Sequence, residues 1–189
     1  MTSPSNWGAT DAEMRADYPC DDLEFAHDET FFRALDVAAP PALVYRWLCQ
    51  LRVAPYSYDW LDNFGRRSPP RLIPGLDALA VGQRVMIVFR IDRFSAGRSI
   101  TVRLSSRLGR TLMGDLAGTY EVRPAAGGCR LVAKVFVSYP RGNYGRFLRV
   151  LMPHADLFMF RKQLTTLRRY AERDAVADAR SEAAKIASS

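Results

Sequence analysis

The stretch PHADLFMFRKQLTTLRRYAERD, Pro153 to Asp174, carries the clearest periodicity in the chain. Turned at about 100° per residue, Leu157, Phe160, Leu164, Leu167 and Ala171 fall within roughly an 80° arc, and Arg161, Arg168, Arg169 and Arg173 lie largely outside it. One apolar face and one basic face define a long amphipathic helix. Pro153 suits its first turn, where the missing N–H would have had no partner, and the arginines near the far end complement the negative end of the helix dipole. Asp156 projects to the edge of the apolar arc, so its carboxylate is expected to point toward the core.

A helix of this kind needs a layer to receive its apolar face. Four runs before it alternate as strands do. CRLVAKVFVSYP (129–140) aligns Leu131, Ala133, Val135, Val137 and Tyr139, and AGTYEVRP (117–124) aligns Tyr120 and Val122. Ala125-Ala126-Gly127-Gly128 between them is a hairpin turn. SITVRLS (99–105) puts Ile100, Val102 and Leu104 together, and RVMIVFRIDRF (84–94) does the same for Val85, Ile87, Phe89 and Ile91, with Ser95-Ala96-Gly97 as the turn. Further upstream, the three prolines and two glycines of residues 66–82 allow only a short or irregular crossing. Two short helices are expected before that, one over Pro41–Leu51 and one in the aromatic, acidic stretch Tyr56–Asn63, which Gly65 ends. Thr30–Val37 reads as the first strand. The fold class is therefore α+β.

At 189 residues and 48% hydrophobic composition, the chain suffices for one domain that buries roughly 70% of the surface its unfolded form exposes. Residues 1–28 are polar, acidic and without period, and are expected to form a loosely ordered arm; 29–174 form the domain, and 175–189 a frayed tail. No window approaches the ~18 uninterrupted apolar residues of a membrane span. The opening MTSPSNWGATDAEMR has neither a basic start nor an apolar run, so the expected location is cytoplasmic. Cys20, Cys49 and Cys129 are odd in number and form no CxxC, which favours reduced side chains over disulfides or zinc. GxSxG, GxGxxG and P-loop signatures are absent, and the two histidines are isolated, so no metal or cofactor is implied.

The net charge of +7 is unevenly spread: residues 1–30 hold eight acids against Arg15 alone, a balance of −7 that leaves +14 on the remainder. An acidic arm resting on a basic body, or a basic surface meant for an anionic partner, would each account for this. Arginine outnumbers lysine 24 to 3, which matches the codon bias of a GC-rich genome.

Taken together, RALDVAAPPALVYRWL, the LAVGQRV before the long strand, the hairpin series and DLFMFRKQLTTLRRYAE resemble the SRPBCC superfamily over residues 30–173. That superfamily includes START domains, the birch-pollen-allergen (Bet v 1-like) fold and polyketide cyclases. The resemblance implies a helix-grip fold, a curved antiparallel sheet wrapped around the long C-terminal helix. It also implies a cavity between them for lipids, polyketides or other hydrophobic molecules, with an entrance near PYSYDWLDN.

The candidate site residues follow. Tyr56, Tyr58 and Trp60 sit at the expected rim, either as partly buried packing or as gates that stack on a flat ligand. Tyr120, Val135, Val137 and Tyr139 on strands, with Leu157, Phe160 and Leu164 on the helix, are the expected lining. Tyr58, Asp59, Tyr120 and Asp156 are the candidates for proton chemistry, with Asp62 and Asp115 behind them. Asp156 is either a buried base with a raised pKa or a first-turn carboxylate paired to an arginine. Arg90 and Asp92 share the outward strand face as a solvated pair, and His154 is a surface residue at the helix start.

The leading reading is a binding protein for a small hydrophobic or aromatic molecule. The alternative is an enzyme of the cyclase or dehydratase kind, acting through Tyr, Asp and Arg groups in the same cavity. A third is a basic module that uses Arg66, Arg67, Arg71, Arg141, Arg146 and Arg149 on nucleic acid or a membrane surface; the lack of an RNA-binding signature disfavours nucleic acid. The sequence leaves carrier and catalyst both open and does not set the oligomeric state.

Overall fold

Alternation along Glu29–Val37 sends Phe31, Arg33, Leu35 and Val37 to one side of a strand and Phe32 and Ala34 to the other. The computed structural model describes residues 3–58, 60 and 65–187, and Glu29–Val37 is its β2. A short β1, Asn6–Trp7, runs parallel beside β2. The remaining strands are β3 (Arg84–Val85), β4 (Phe89–Ser95), β5 (Ser99–Leu104), β6 (Asp115–Ala125) and β7 (Gly128–Ser138). They form one seven-stranded sheet in the order β1-β2-β7-β6-β5-β4-β3, antiparallel at every junction except the first.

The helices described beside the sheet are α1 (Asp11–Arg15), α2 (Pro41–Cys49, continued by a 3₁₀ turn at Gln50–Arg52), α3 (Arg107–Met113) and α4 (Asn143–Ala187). α2 starts on Pro41, where a missing N–H costs nothing. α3 is capped by Ser106, whose hydroxyl accepts the Gly109 N–H at 3.0 Å. The second expected short helix, Tyr56–Asn63, lies largely outside the described residues. α4 packs its Leu164, Leu167 and Ala171 against Trp47 and Leu48 of α2 and Leu131 of β7. A curved, mostly antiparallel sheet closed by a long C-terminal helix is the helix-grip fold. Among the described residues, no helix is long and apolar enough to cross a membrane.

The structure differs from the sequence expectations in four places. Residues 84–94 are not one strand: Met86 and Ile87 adopt φ of 46° and 67°, and the chain reverses between β3 and β4. The reversal is held by the Met86 N–H, which donates to Leu51 O at 2.8 Å, a tertiary bond that local alternation does not encode. α4 begins at Asn143, so Pro153 lies inside it and not in its first turn. The end of the chain does not fray within 175–187 but continues the helix with its side chains largely exposed.

The fourth difference is the N-terminal arm. It is docked on the outer face of the sheet, where Tyr18 and Cys20 pack with Phe32, Ala34, Val132 and Phe136. α1 carries a full capping box between Thr10 and Glu13. Gly8, at φ 78°, approaches so closely that a Cβ there would collide with Ala34 O. Glu13 pairs with Arg130 at 2.7 Å, and Asp21 with Lys134 and Asp28 with Arg149, each at 2.5 Å. Part of the unequal charge distribution is thus met within the chain, acid on base.

Candidate functional site

Between the middle strands and the first half of α4 lies a cavity of about 410 Å³. Small residues contribute to its wall, Gly118 and Ala133 from the sheet and Ala155 from the helix. Gly118 is also fixed by the backbone, since a Cβ there would stand 2.6 Å from Lys134 O on the neighbouring strand. The turn between β3 and β4 and the Pro55–Ser57 segment form one end, and Met113 of α3 adds to the wall. Met86, Met113, Met152 and Met159, four of the chain's six methionines, line the space. Thioether side chains re-pack around differing shapes more readily than branched ones.

Two polar features interrupt this apolar wall. The first is Asp156, whose Oδ2 accepts two bonds from Arg33, at 2.7 Å from Nη2 and 3.1 Å from Nε. Arg33 is fully buried on the inward face of β2 and also donates to Phe32 O and Pro4 O, each at 2.9 Å. Asp156 Oδ1 has no hydrogen-bond partner among the described residues, and Asp156 belongs to the cavity wall. Burial pushes the Asp156 pKa up to about 6, against the opposing pull of the Arg33 charge and hydrogen bonds. The cavity wall thus holds a carboxyl that takes up a proton more readily than an ordinary aspartate.

The second feature is a relay. Tyr120 Oη donates to Gln163 Oε1 at 2.7 Å, and Gln163 Nε2 donates to Pro55 O at 2.7 Å, with Met86 Sδ 3.2 Å away. These bonds tie β6, α4 and both segments at the cavity's end to one another. Burial raises the Tyr120 pKa far above the ordinary phenol, so the hydroxyl stays protonated and acts as a donor. Its ring stacks on Phe160 at 5.7 Å.

Of the residues singled out from the sequence, Tyr120, Val135, Asp156 and Phe160 meet at this cavity. The others lie elsewhere. Val137 and Tyr139 belong to a neighbouring cluster with Phe31 and Leu148, and the Tyr139 hydroxyl donates to Glu29 at 2.8 Å. Leu164 is sealed in the core beside Trp47, and Leu157 is half-buried on α4 without lining the space. Tyr56 is buried edge-on against Trp47 and Tyr170, at 5.9 and 6.2 Å. Tyr58 stacks on Phe158 at 4.2 Å, and Trp60 is 72% exposed. Asp59 and Asp62 lie outside the described residues. Asp115 sits 3.7 Å from Arg103. Arg90 and Asp92 do not pair: Arg90 donates to Gly82 O and Asp92 accepts from Arg93, next to a register shift in β4. Because α4 starts ten residues upstream of Pro153, Asp156 owes nothing to a first helical turn; its arginine partner is Arg33.

Sequence reading missed Arg33, Gln163 and the methionines. Two signals were present. Arg33 interrupts the inward series Phe31, Leu35, Val37, and Gln163 follows Asp156 by seven residues on one helix face. Among the described residues, no group of three His, Cys, Asp or Glu side chains is placed to hold a metal ion.

No family model matches the chain, and no curated protein matches it. Solved structures do. Protein MLL2253 from Mesorhizobium loti superposes with a TM-score of 0.50 at 14% identity, covering 77% of this chain and 98% of that one. This similarity shows the shared fold. DynU16 from the dynemicin biosynthetic locus gives 0.49 at 19% identity, over 78% of this chain and 49% of its own. The di-domain ARO/CYC StfQ from the steffimycin biosynthetic pathway gives 0.48 at 16%, over 77% of this chain and 51% of its own.

Proposed function

We propose that the protein binds a small, neutral, largely apolar molecule, lipid-like or polyketide-like, in the cavity under α4, with one donor group of the ligand on Asp156 Oδ1. The observation that carries this reading is the open carboxylate oxygen in an otherwise apolar space of about 410 Å³. That volume falls in the range of about 300–1,000 Å³ usual for small-molecule sites. Arg33 and Asp156 already offset each other, so an anionic ligand would bring a second negative charge against the carboxylate. A hydroxyl or amide donor would instead complete its hydrogen bonding. Membership of the SRPBCC superfamily is part of the same proposal, supported by the helix-grip architecture and the resemblance over residues 30–173.

The test combines native mass spectrometry of the protein purified from its source with titration by Nile red, a neutral polarity-sensitive dye. A co-purified neutral molecule, dye fluorescence that saturates, and loss of both in Val135→Phe, which fills the space, are the expected results. Dye binding indifferent to that substitution would sink the reading. A second reading, an acid–base enzyme of the cyclase or dehydratase type, is favoured by the Asp156 pKa of about 6. In that case a polyketide-like substrate leaves the protein chemically changed, with the same mass but a different chromatographic retention after cyclisation and lighter by one water after dehydration, and Asp156→Asn abolishes the change while keeping dye affinity.

A further inference from the structure

The first half of α4 is apolar on two sides. Leu148, Met152, Met159 and Gln163 turn toward the sheet and cavity. Phe147, Val150, Leu151 and Phe158 fall within roughly a 100° arc on the other side and are exposed, Phe147 by 59% and Val150 by 71%. Beside them α3 presents Leu108, exposed by 68%, and Leu112. The Tyr144 hydroxyl donates to Leu112 O at 2.6 Å and joins the two helices into one surface. Single exposed apolar residues need no explanation, but six large ones on adjoining helices do.

The charged side chains that the two helices contribute here are basic: Arg107 and Arg110 on α3, Arg146 in the first turn of α4 with Arg141 just before it, and Arg161 and Lys162 further along. Between Pro140 and Ala171 the only acid is Asp156, which is turned into the cavity. A second copy of the chain docked through the same face would set these cations against their equals. Nucleic acid would match the charge, but four of the six exposed side chains, Leu108, Leu112, Val150 and Leu151, are aliphatic and offer no ring for a base to stack on.

We infer that this face docks on an anionic membrane surface, with the first half of α4 and α3 lying in the plane of the interface. The apolar side chains enter the acyl boundary and the arginines meet lipid phosphates, the arrangement expected of an interfacial helix. Met113, Met152 and Met159 come from the same two helices, so docking sets one cavity wall against the lipid. The docking rests on the surface and stands whether or not the cavity is filled.

The test is sedimentation of the full chain with vesicles of phosphatidylcholine alone or mixed with phosphatidylglycerol. The expected result is sedimentation with the mixed vesicles, little with phosphatidylcholine, and a decline as salt is added. Phe147→Ser with Val150→Ser lowers partitioning by about tenfold or more, and Arg107→Glu with Arg146→Glu removes the preference for the anionic lipid. Both pairs are exposed, so the melting temperature and Nile red binding stay as in the parent chain, which shows that the variants fold. Protein that remains in the supernatant with both vesicle types overturns the inference, as does sedimentation untouched by the serine pair. A concentration-dependent dimer that the serine pair abolishes, without vesicle binding, assigns the face to a second copy and overturns it too.

Discussion

Arg33 cannot give up its charge inside a protein, and Asp156 is the anion that offsets it, with two carbonyls and the Phe31 ring, 5.2 Å away, adding weaker support. Removing the carboxylate strands that charge. Asp156→Ala is therefore expected to cost about 3–5 kcal/mol in unfolding free energy, and Arg33→Met with Asp156→Leu to recover most of it. Chemical denaturation of both variants measures this, and a double variant as unstable as the single one would show that the pair does more than cancel itself. The Asp156 pKa, raised to about 6, gives the pH dependence its sign. A native state that holds a proton more tightly than the unfolded chain gains stability that is complete below the ordinary carboxylate value and lost as pH rises through about 6. The stability of the parent chain relative to Asp156→Asn should thus shrink between about pH 4 and pH 6.5. A difference that grows over that window would reverse the assignment.

The two halves of α4 face different interiors. Leu164 sits in a filled core, where Leu164→Ala removes contacts that nothing replaces and is expected to cost about 2–5 kcal/mol. Val135 faces open space, and the expected effect of Val135→Phe on the melting temperature is small although it abolishes dye binding. Gly118→Ala is expected to destabilise the chain despite its cavity position, because the new Cβ would press on Lys134 O across the β6–β7 pairing. Thermal melts of the three variants separate these cases. The same contrast explains what the chain made legible. Period-2 and period-3.6 patterns report which face is apolar, and they located β5, β6, β7, α2 and the far half of α4. They do not report whether that face meets a filled core or a void, so Leu164 and Val135 looked alike. They are equally blind to a reversal held by a distant carbonyl, as at Met86. α4 between Asn143 and Pro153 escaped because apolar residues on both its sides erase the single-faced pattern.

The arm, sheet and helix form a stack in which each layer completes the next. The arm covers Phe32, Val132 and Phe136 on the outer face and neutralises Arg130 and Lys134. It also reaches the cavity, since Pro4 O accepts from the same Arg33 nitrogen that holds Asp156. Although burial opposes it, hydrogen bonds from Arg130 and Thr10 hold the Glu13 carboxyl below its ordinary value; the Tyr139 N–H and Arg149 do the same for Asp28. Their sign is opposite to that of Asp156: this stabilisation is present above the ordinary carboxylate range and is lost as pH falls below about 4. Protection of residues 6–20 from hydrogen exchange, measured against the intrinsic rate at each pH, should accordingly fall on acidification before that of the β6–β7 core. Deleting residues 1–24 removes the cover, and the expected result is a lower melting temperature with self-association on a sizing column. It also admits water to Arg33 and Asp156, which relieves the desolvation that raised the carboxyl. The Asp156 titration, followed by carbon NMR of its carboxyl, should therefore move down from about 6 toward the ordinary aspartate value when the arm is gone. A titration unmoved by the deletion would mean that β2 and α4 alone keep the pair dry, and that arm and cavity are independent.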